Sequence, residues 1–118
     1  MDLVRQILLE IEKQPFMPGY PIDLNMPGFS PEVLSYHVMI MHEAGLIEAA
    51  SELYSTGRPP HWSPHRLTWQ GHEFLDAARD NTIWNKAMAT VKDKMSSIPF
   101  ELLQQLLIKL GASSLGLN

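Results

Sequence analysis

Apolar side chains recur every four positions near the start of the chain, which is the pattern of an amphipathic helix. Leu3, Ile7 and Ile11 form the apolar stripe, and Asp2 stands where a capping side chain belongs. The pattern therefore predicts a first helix over residues 2–13.

The next segment, 15–31, contains five prolines and two glycines, which argues against a helix and leaves room for only a short extended piece. Ser30 then supplies an N-cap hydroxyl directly before a proline, and Gly45 tolerates the left-handed conformation that ends many helices. We expect an ordered loop followed by a second helix over 31–44.

Two extended stretches come next, at 46–54 and 65–69, and a proline-containing tip separates them. Strands of this length around such a tip predict a β-hairpin. The rest of the chain has helical periodicity, with an expected break at Asp80 and Asn81.

The last predicted helix begins at Pro99 and ends at Gly111. With this helix, the sequence predicts a core over 1–80 and a C-terminal helical extension over 81–118, packed together as one domain. The fold class expected from these elements is α+β and mostly helical.

Composition limits the function classes. The chain has 118 residues, 45% of them hydrophobic, so it is long enough to bury a core without disulfide or metal support. The absence of cysteine excludes a thiol nucleophile and a zinc-thiolate site. No apolar run approaches the length of a membrane span, so we expect a soluble, cytoplasmic protein without membrane contact.

Two short stretches carry a resemblance to known regulators. SYHVMIMHEAGLI at 35–47 is similar to a recognition helix and its exit, and LTWQGHEFL at 67–75 is similar to the last strand of a wing and the helix after it. With RDNTIWNK at 79–86 and IPFELL at 98–103, the chain resembles a small uncharacterised family often found in prophages, domain of unknown function 2513. The resemblance implies a winged-helix-like domain with a two-stranded wing, and it implies no particular activity.

Helical spacing divides the second helix into two faces. The outward face carries carboxylates and no lysine or arginine, so it is expected to repel a polyanion. The predicted inward residues are Val33, Leu34, His37, Val38 and Met41. The predicted outward residues are Glu32, Ser35, Tyr36, Met39, His42 and Glu43.

The wing has the opposite charge. Residues 53–72 include no aspartate or glutamate, whereas 1–50 are strongly acidic. Cations beside aromatic rings suit contact with phosphates and bases, which favours a nucleic-acid-binding accessory or regulator, with double-stranded DNA as its partner. The candidate residues for this contact are Arg58, His61, Trp62, His65 and Arg66, with Ser35 and Tyr36 as weak readers on the helix.

Two alternatives stay open at this point. The hairpin tip is a solvated loop whose Trp62 folds back onto the core, or the domain is a protein-interaction module that has kept the winged scaffold without DNA binding. In the second case Tyr36, Met39 and His42 are expected to contact the partner.

The histidines and carboxylates do not form a recognisable catalytic or metal site. His72 and Asp76 lie one helical turn apart, but a third ligand such as His61 or His65 would have to come from elsewhere. No nucleophile elbow and no glycine-rich phosphate loop is present. We therefore expect no enzyme, no cofactor and no metal.

Apolar side chains near the C-terminus lead to two further expectations. Trp69 and Trp84 are expected to be buried, and Trp62 to be the most exposed tryptophan. The last helix carries more leucines than one packing side needs, so we expect a homodimer; in the alternative, the leucines close the core of a monomer. The expected interface residues are Leu103, Leu106, Leu107 and Leu110.

Overall fold

The computed structural model describes residues 1–15, 17–52, 60–94 and 98–116. Within them the chain forms five helices and one two-stranded antiparallel sheet, so the expected α+β, mostly helical class is confirmed. Each helix of the described residues is too short or too polar to cross a lipid bilayer. In chain order the elements are α1 (Asp2–Lys13), α2 (Pro31–Glu43), β1 (Ile47–Glu52), β2 (His61–Leu67), α3 (Trp69–Ala78), α4 (Asn81–Lys94) and α5 (Phe100–Ser114).

The ends of α2 are set by the two residues that the sequence singled out. The Ser30 hydroxyl accepts a hydrogen bond from the Val33 N–H at 3.2 Å, which satisfies a backbone donor of the first turn. Gly45 follows the helix with φ +79°, a conformation that favours glycine. The Leu46 N–H then donates to Met41 O at 3.0 Å, and the chain turns directly into β1.

The hairpin is confirmed, but β2 begins four residues earlier than predicted. The sequence pattern predicts that Pro64 belongs to the tip between the two strands. In the structure Pro64 faces Ala49 next to the point where the register shifts, and its carbonyl accepts the Ile22 N–H at 2.7 Å. The extended piece around Ile22 therefore lies beside β2.

The chain divides into two compact units, Met1–His72 and Glu73–Asn118, whereas the sequence suggested a division at 80/81. In the first unit α1 packs against β2, and α2 packs against both strands. The buried apolar side chains of this unit come from every one of these elements and from the connections between them. They are Val4, Ile7, Leu8, Ile11, Met26, Leu34, Val38, Met41, Leu46, Ile47 and Leu67.

In the second unit the predicted break between α3 and α4 is confirmed. Asp80 stands before α4 and accepts the Ile83 N–H on its carboxylate at 3.0 Å, as an N-cap side chain does. The rings of Phe74 and Phe100 pack with centroids 4.5 Å apart, and α4 packs against α5. Helix α5 continues to Ser114, so the expectation that Gly111 ends it is wrong.

The solvent exposure of the three tryptophans differs from the expectation. Trp84 is buried, as predicted, but Trp69 is 74% exposed and is the most exposed of the three. On α3 the buried positions are Gly71, Phe74, Leu75 and Ala78, which recur at helical spacing. Trp69 lies on the opposite side of the helix from that stripe, so a position at the strand-to-helix junction did not imply burial.

Candidate functional site

Arg66, in the described part of the hairpin, is already paired. Arg66 lies opposite Glu48 in the strand register, and its Nη2 and Nε donate to the two carboxylate oxygens of Glu48 at 2.6 and 3.1 Å. Its Nη1 donates to the Leu67 carbonyl at 3.0 Å. The pair was not expected from the sequence, because Glu48 was counted among the acidic residues 1–50 and not with the hairpin residues 53–72. The hairpin register is the signal that finds it.

This pair changes the electrostatics predicted for the wing. A guanidinium held by both oxygens of a carboxylate is partly neutralised, so a phosphate contact at Arg66 competes with Glu48. The predicted contact residue Arg58 lies outside the described residues. Within the described part of the hairpin, the remaining predicted contacts are His61, Trp62 and His65, all half-buried.

Ser35 faces the core, so its predicted outward position is wrong. Its side chain is buried, and the hydroxyl accepts the backbone N–H of Trp62 at 2.9 Å. The physical reason is the early start of β2, which brings the backbone of Trp62 up to α2, where a small hydroxyl fits between the helix and the strand. Ser35 therefore holds β2 against α2, and its role as a reader of a ligand stays a prediction.

Trp62 is held against α2 by its ring as well as by its backbone. The rings of His42 and Trp62 pack with centroids 5.5 Å apart and an interplanar angle of 37°. The Nδ1 of His42 donates to the Ile47 carbonyl at 3.3 Å, which fixes the orientation of the imidazole. The prediction that Trp62 is the most exposed tryptophan is wrong, because this contact folds the ring back onto the helix.

The outward face of α2 combines apolar and acidic side chains. Val33 is 41% exposed and Tyr36 is 56% exposed, and both Glu32 and Glu43 are exposed. The inward position predicted for Val33 is wrong, since Leu34, Val38 and Met41 already fill the buried stripe of the helix. Ile40 continues the outward stripe and is half-buried. We call this surface, made by Glu32, Val33, Tyr36, Ile40 and Glu43, the α2 face.

Two other predicted residues of α2 are partly covered. Met39 is half-buried, at the edge of the α2 face. His37, predicted to point inward, is also half-buried, and its Nδ1 donates to the Val33 carbonyl one turn earlier at 2.9 Å. The imidazole of His37 thus has a hydrogen-bond partner within α2 itself.

A groove lies between the extended segment before α2, the first turns of α2 and the start of β2. Its volume is about 180 Å³. The lining combines polar groups and an aromatic ring with Leu34 and Val38, which are buried. The lining residues are Asp23, Leu24, Asn25, Pro31, Leu34, Ser35, Val38, His61 and Trp62.

A second and smaller cavity, of about 110 Å³, brings together polar residues that the sequence treated separately. His65 and His72 both line it, as do Arg66 and Glu12. In the part of the chain that the structure describes, no three histidine, cysteine, aspartate or glutamate side chains are grouped as a metal ion requires.

Comparison with known proteins places this chain in a family. The model of the family described as "Hypothetical protein (DUF2513)" matches residues 1–97. The chain belongs to the DUF2513 family. An "Uncharacterized protein" of Haemophilus influenzae is 38% identical over 104 residues, which cover 88% of this chain and 86% of the relative. No solved structure matches the chain.

The DUF2513 match includes the α2 face and the hairpin but stops before α5, where the sequence predicted a dimer interface. Leu103 and Leu107 are fully buried, so the expectation that they are open to a partner chain is wrong. They point to the buried side of α5, which agrees with the alternative in which leucines close the core of the protomer. Leu106 and Leu110 are half-buried, and the homodimer itself stays a prediction.

Proposed function

We propose that this DUF2513 protein is a non-enzymatic protein-interaction module, and that its α2 face binds a cationic, partly apolar surface of another protein. The observation that carries the proposal is the composition of this face, where exposed Val33 and Tyr36 stand beside the carboxylates of Glu32 and Glu43. Exposed apolar and aromatic side chains in one patch mark interaction sites, and their acidic neighbours select the sign of the partner.

A winged-helix-like scaffold is part of the proposal. Its support is the order of α1, α2 and a β-hairpin, with the extended segment at Ile22 hydrogen-bonded to β2 at Pro64. In such a scaffold α2 occupies the place of the recognition helix, which in DNA-binding members enters the major groove.

The charges of the scaffold favour a protein over DNA as the partner. Residues 1–72 contain eight acidic and four basic residues, and α2 has no lysine or arginine. Affinity for DNA depends on cations that neutralise phosphates, and Arg66 of the wing is engaged by Glu48. A basic protein surface gains from the same acidic charges that repel a polyanion.

The experiment is a selection from a displayed library of amphipathic helical peptides, followed by binding measurements on the full chain. We expect enrichment of peptides with lysine or arginine next to apolar residues, and loss of their binding on Val33→Glu and Tyr36→Glu. Ile108→Glu is the matched control, because Ile108 is equally exposed but lies on α5.

DNA binding, the competing function, is tested by measuring the affinity of the full chain for duplex DNA. Binding of a mixed-sequence duplex that weakens steeply with salt and that is reduced by Arg66→Ala would contradict the proposal and favour wing-mediated DNA contact. Selected peptides whose binding is unaffected by both α2-face substitutions would also contradict it.

A further inference from the structure

The groove beside α2 has the chemistry of a receptor for one arginine side chain. We infer that it takes the guanidinium group of an arginine supplied by the protein partner, with Trp62 as the stacking surface and Asp23 as the counter-ion. The inference rests on the proposed function, in that the partner is a cationic protein, and it adds a second contact outside the α2 face.

The lining of the groove matches the two surfaces of a guanidinium. A guanidinium is planar, so its face stacks on an indole while its edge donates several hydrogen bonds. Trp62 of β2 lines the groove, and so do Asp23 and Asn25 of the extended segment before α2. The buried Leu34 and Val38 offer an apolar base for the aliphatic part of the arginine side chain.

The volume of the groove suits a single side chain better than a larger ligand. The groove measures about 180 Å³, whereas pockets for cofactors and drug-sized molecules are usually about 300–1,000 Å³. A complete nucleotide is therefore too large for it. A single long side chain projecting from a partner surface fits the available space.

The charge around the groove selects a cation. Its lining residues include no lysine or arginine. Within the described part of the chain, Asp23 takes no part in the ion pairs of Glu10, Glu48 and Asp76 and has no other recorded partner. A carboxylate that is not yet paired gains a partner when the arginine enters, and no existing contact is lost.

Both walls of the groove are fixed before a ligand arrives. The backbone of Trp62 donates to Ser35, and the ring of Trp62 packs on His42. On the other wall, Asp23 directly follows Ile22, whose N–H is bonded to the β2 carbonyl of Pro64. Walls held in place by hydrogen bonds reduce the ordering cost of binding.

The test is a nuclear magnetic resonance titration of the full chain with Nα-acetyl-arginine methylamide at constant ionic strength. The indole N–H signal of Trp62, assigned with Trp62→Phe, is expected to shift and saturate. The citrulline analogue, which keeps the shape and lacks the charge, is expected to leave it unchanged. Asp23→Asn is expected to weaken the arginine response about fivefold, the upper range for an exposed ion pair.

Glu52→Gln is the matched control, since Glu52 is an exposed carboxylate of the same unit that does not line the groove. An equal response to citrulline, or an unchanged Trp62 signal at saturating arginine, would overturn the inference. A Trp62 shift with adenosine monophosphate and none with arginine would overturn it too and point to a base.

Failure of this inference is distinguishable from failure of the proposed function. If selected peptides bind the α2 face but their arginines do not move the Trp62 signal, the groove assignment is wrong and the α2 face is retained. If the groove takes arginine but Val33→Glu and Tyr36→Glu leave peptide binding intact, the α2 face is wrong.

Discussion

Gly71, in the first turn of α3, is the position at which one added methyl group is expected to be most damaging. A Cβ built there overlaps the backbone oxygen of Leu46 and lies 3.0 Å from its carbonyl carbon. The obstacle is main chain, so no side-chain rotation relieves the overlap. Gly71→Ala therefore forces the first turn of α3 away from the backbone of Leu46.

The displacement also affects the bonds of Thr68, which join the two elements. The Thr68 N–H donates to Leu46 O at 3.0 Å, its hydroxyl donates to Gly45 O at 2.5 Å, and its Oγ1 accepts the Gly71 N–H at 3.1 Å. Overpacking costs about 1–3 kcal/mol and each lost hydrogen bond about 1 kcal/mol. The better helix propensity of alanine returns about 0.5–1 kcal/mol. We expect a net loss of about 2–4 kcal/mol in the free energy of unfolding.

Urea unfolding followed by circular dichroism measures this loss. Gly111→Ala is the matched control, because the nearest atom to its Cβ is Ile83 Cδ1 at 3.9 Å. Gly111 lies within helix α5, so alanine there is expected to raise stability by about 0.5–1 kcal/mol. Equal stability of the two variants would refute the close approach of α3 to Leu46.

Three further predictions concern single side chains. Trp84→Ala empties a buried site and is expected to cost about 3–5 kcal/mol by urea unfolding; a stability near wild type would show that Trp84 is not core. Ser35→Ala leaves the Trp62 N–H without its acceptor, at a cost of about 1–3 kcal/mol; the absence of any loss would contradict that bond. Glu48→Gln releases Arg66, and is expected to change stability by less than about 1 kcal/mol while raising duplex affinity at low salt; unchanged affinity would show that the pair does not control the wing.

Local sequence signals were sufficient for most element boundaries. The Ser30 cap, the turn at Gly45 and the break before Asn81 are each fixed by residues within one helical turn of the boundary. Such signals depend on backbone donors and on allowed conformations, which are properties of a few adjacent residues. They are therefore readable without knowledge of the tertiary fold.

The errors at the wing and at Ser35 arose where the outcome depends on contacts between distant residues. The pair of Arg66 with Glu48 depends on strand register, and the bond from Trp62 to Ser35 depends on how α2 meets β2. A count of charges along the chain detects neither contact, because each one joins residues that are far apart in the sequence. The charge predicted for residues 53–72 consequently left out the carboxylate that engages Arg66.

The prediction of which α2 residues face inward is correct for the buried stripe and wrong for two residues in the first two turns. Leu34, Val38 and Met41 form the buried stripe as expected, whereas Val33 and Ser35 exchange sides relative to the prediction. A hydrophobicity pattern places apolar residues inside, and it cannot anticipate a buried hydroxyl that satisfies a strand backbone. Val33, which is exposed, belongs to the proposed binding surface.

Charge reversal on the α2 face is the sharpest test of its proposed binding to a cationic protein surface. The measurement is the dissociation constant of a selected cationic peptide for wild type and for Glu32→Lys with Glu43→Lys, by fluorescence anisotropy. We predict that the double variant no longer binds the peptide. Exchanging the lysines of the peptide for glutamates is expected to restore binding. Unchanged affinity of the double variant for the original peptide would contradict it.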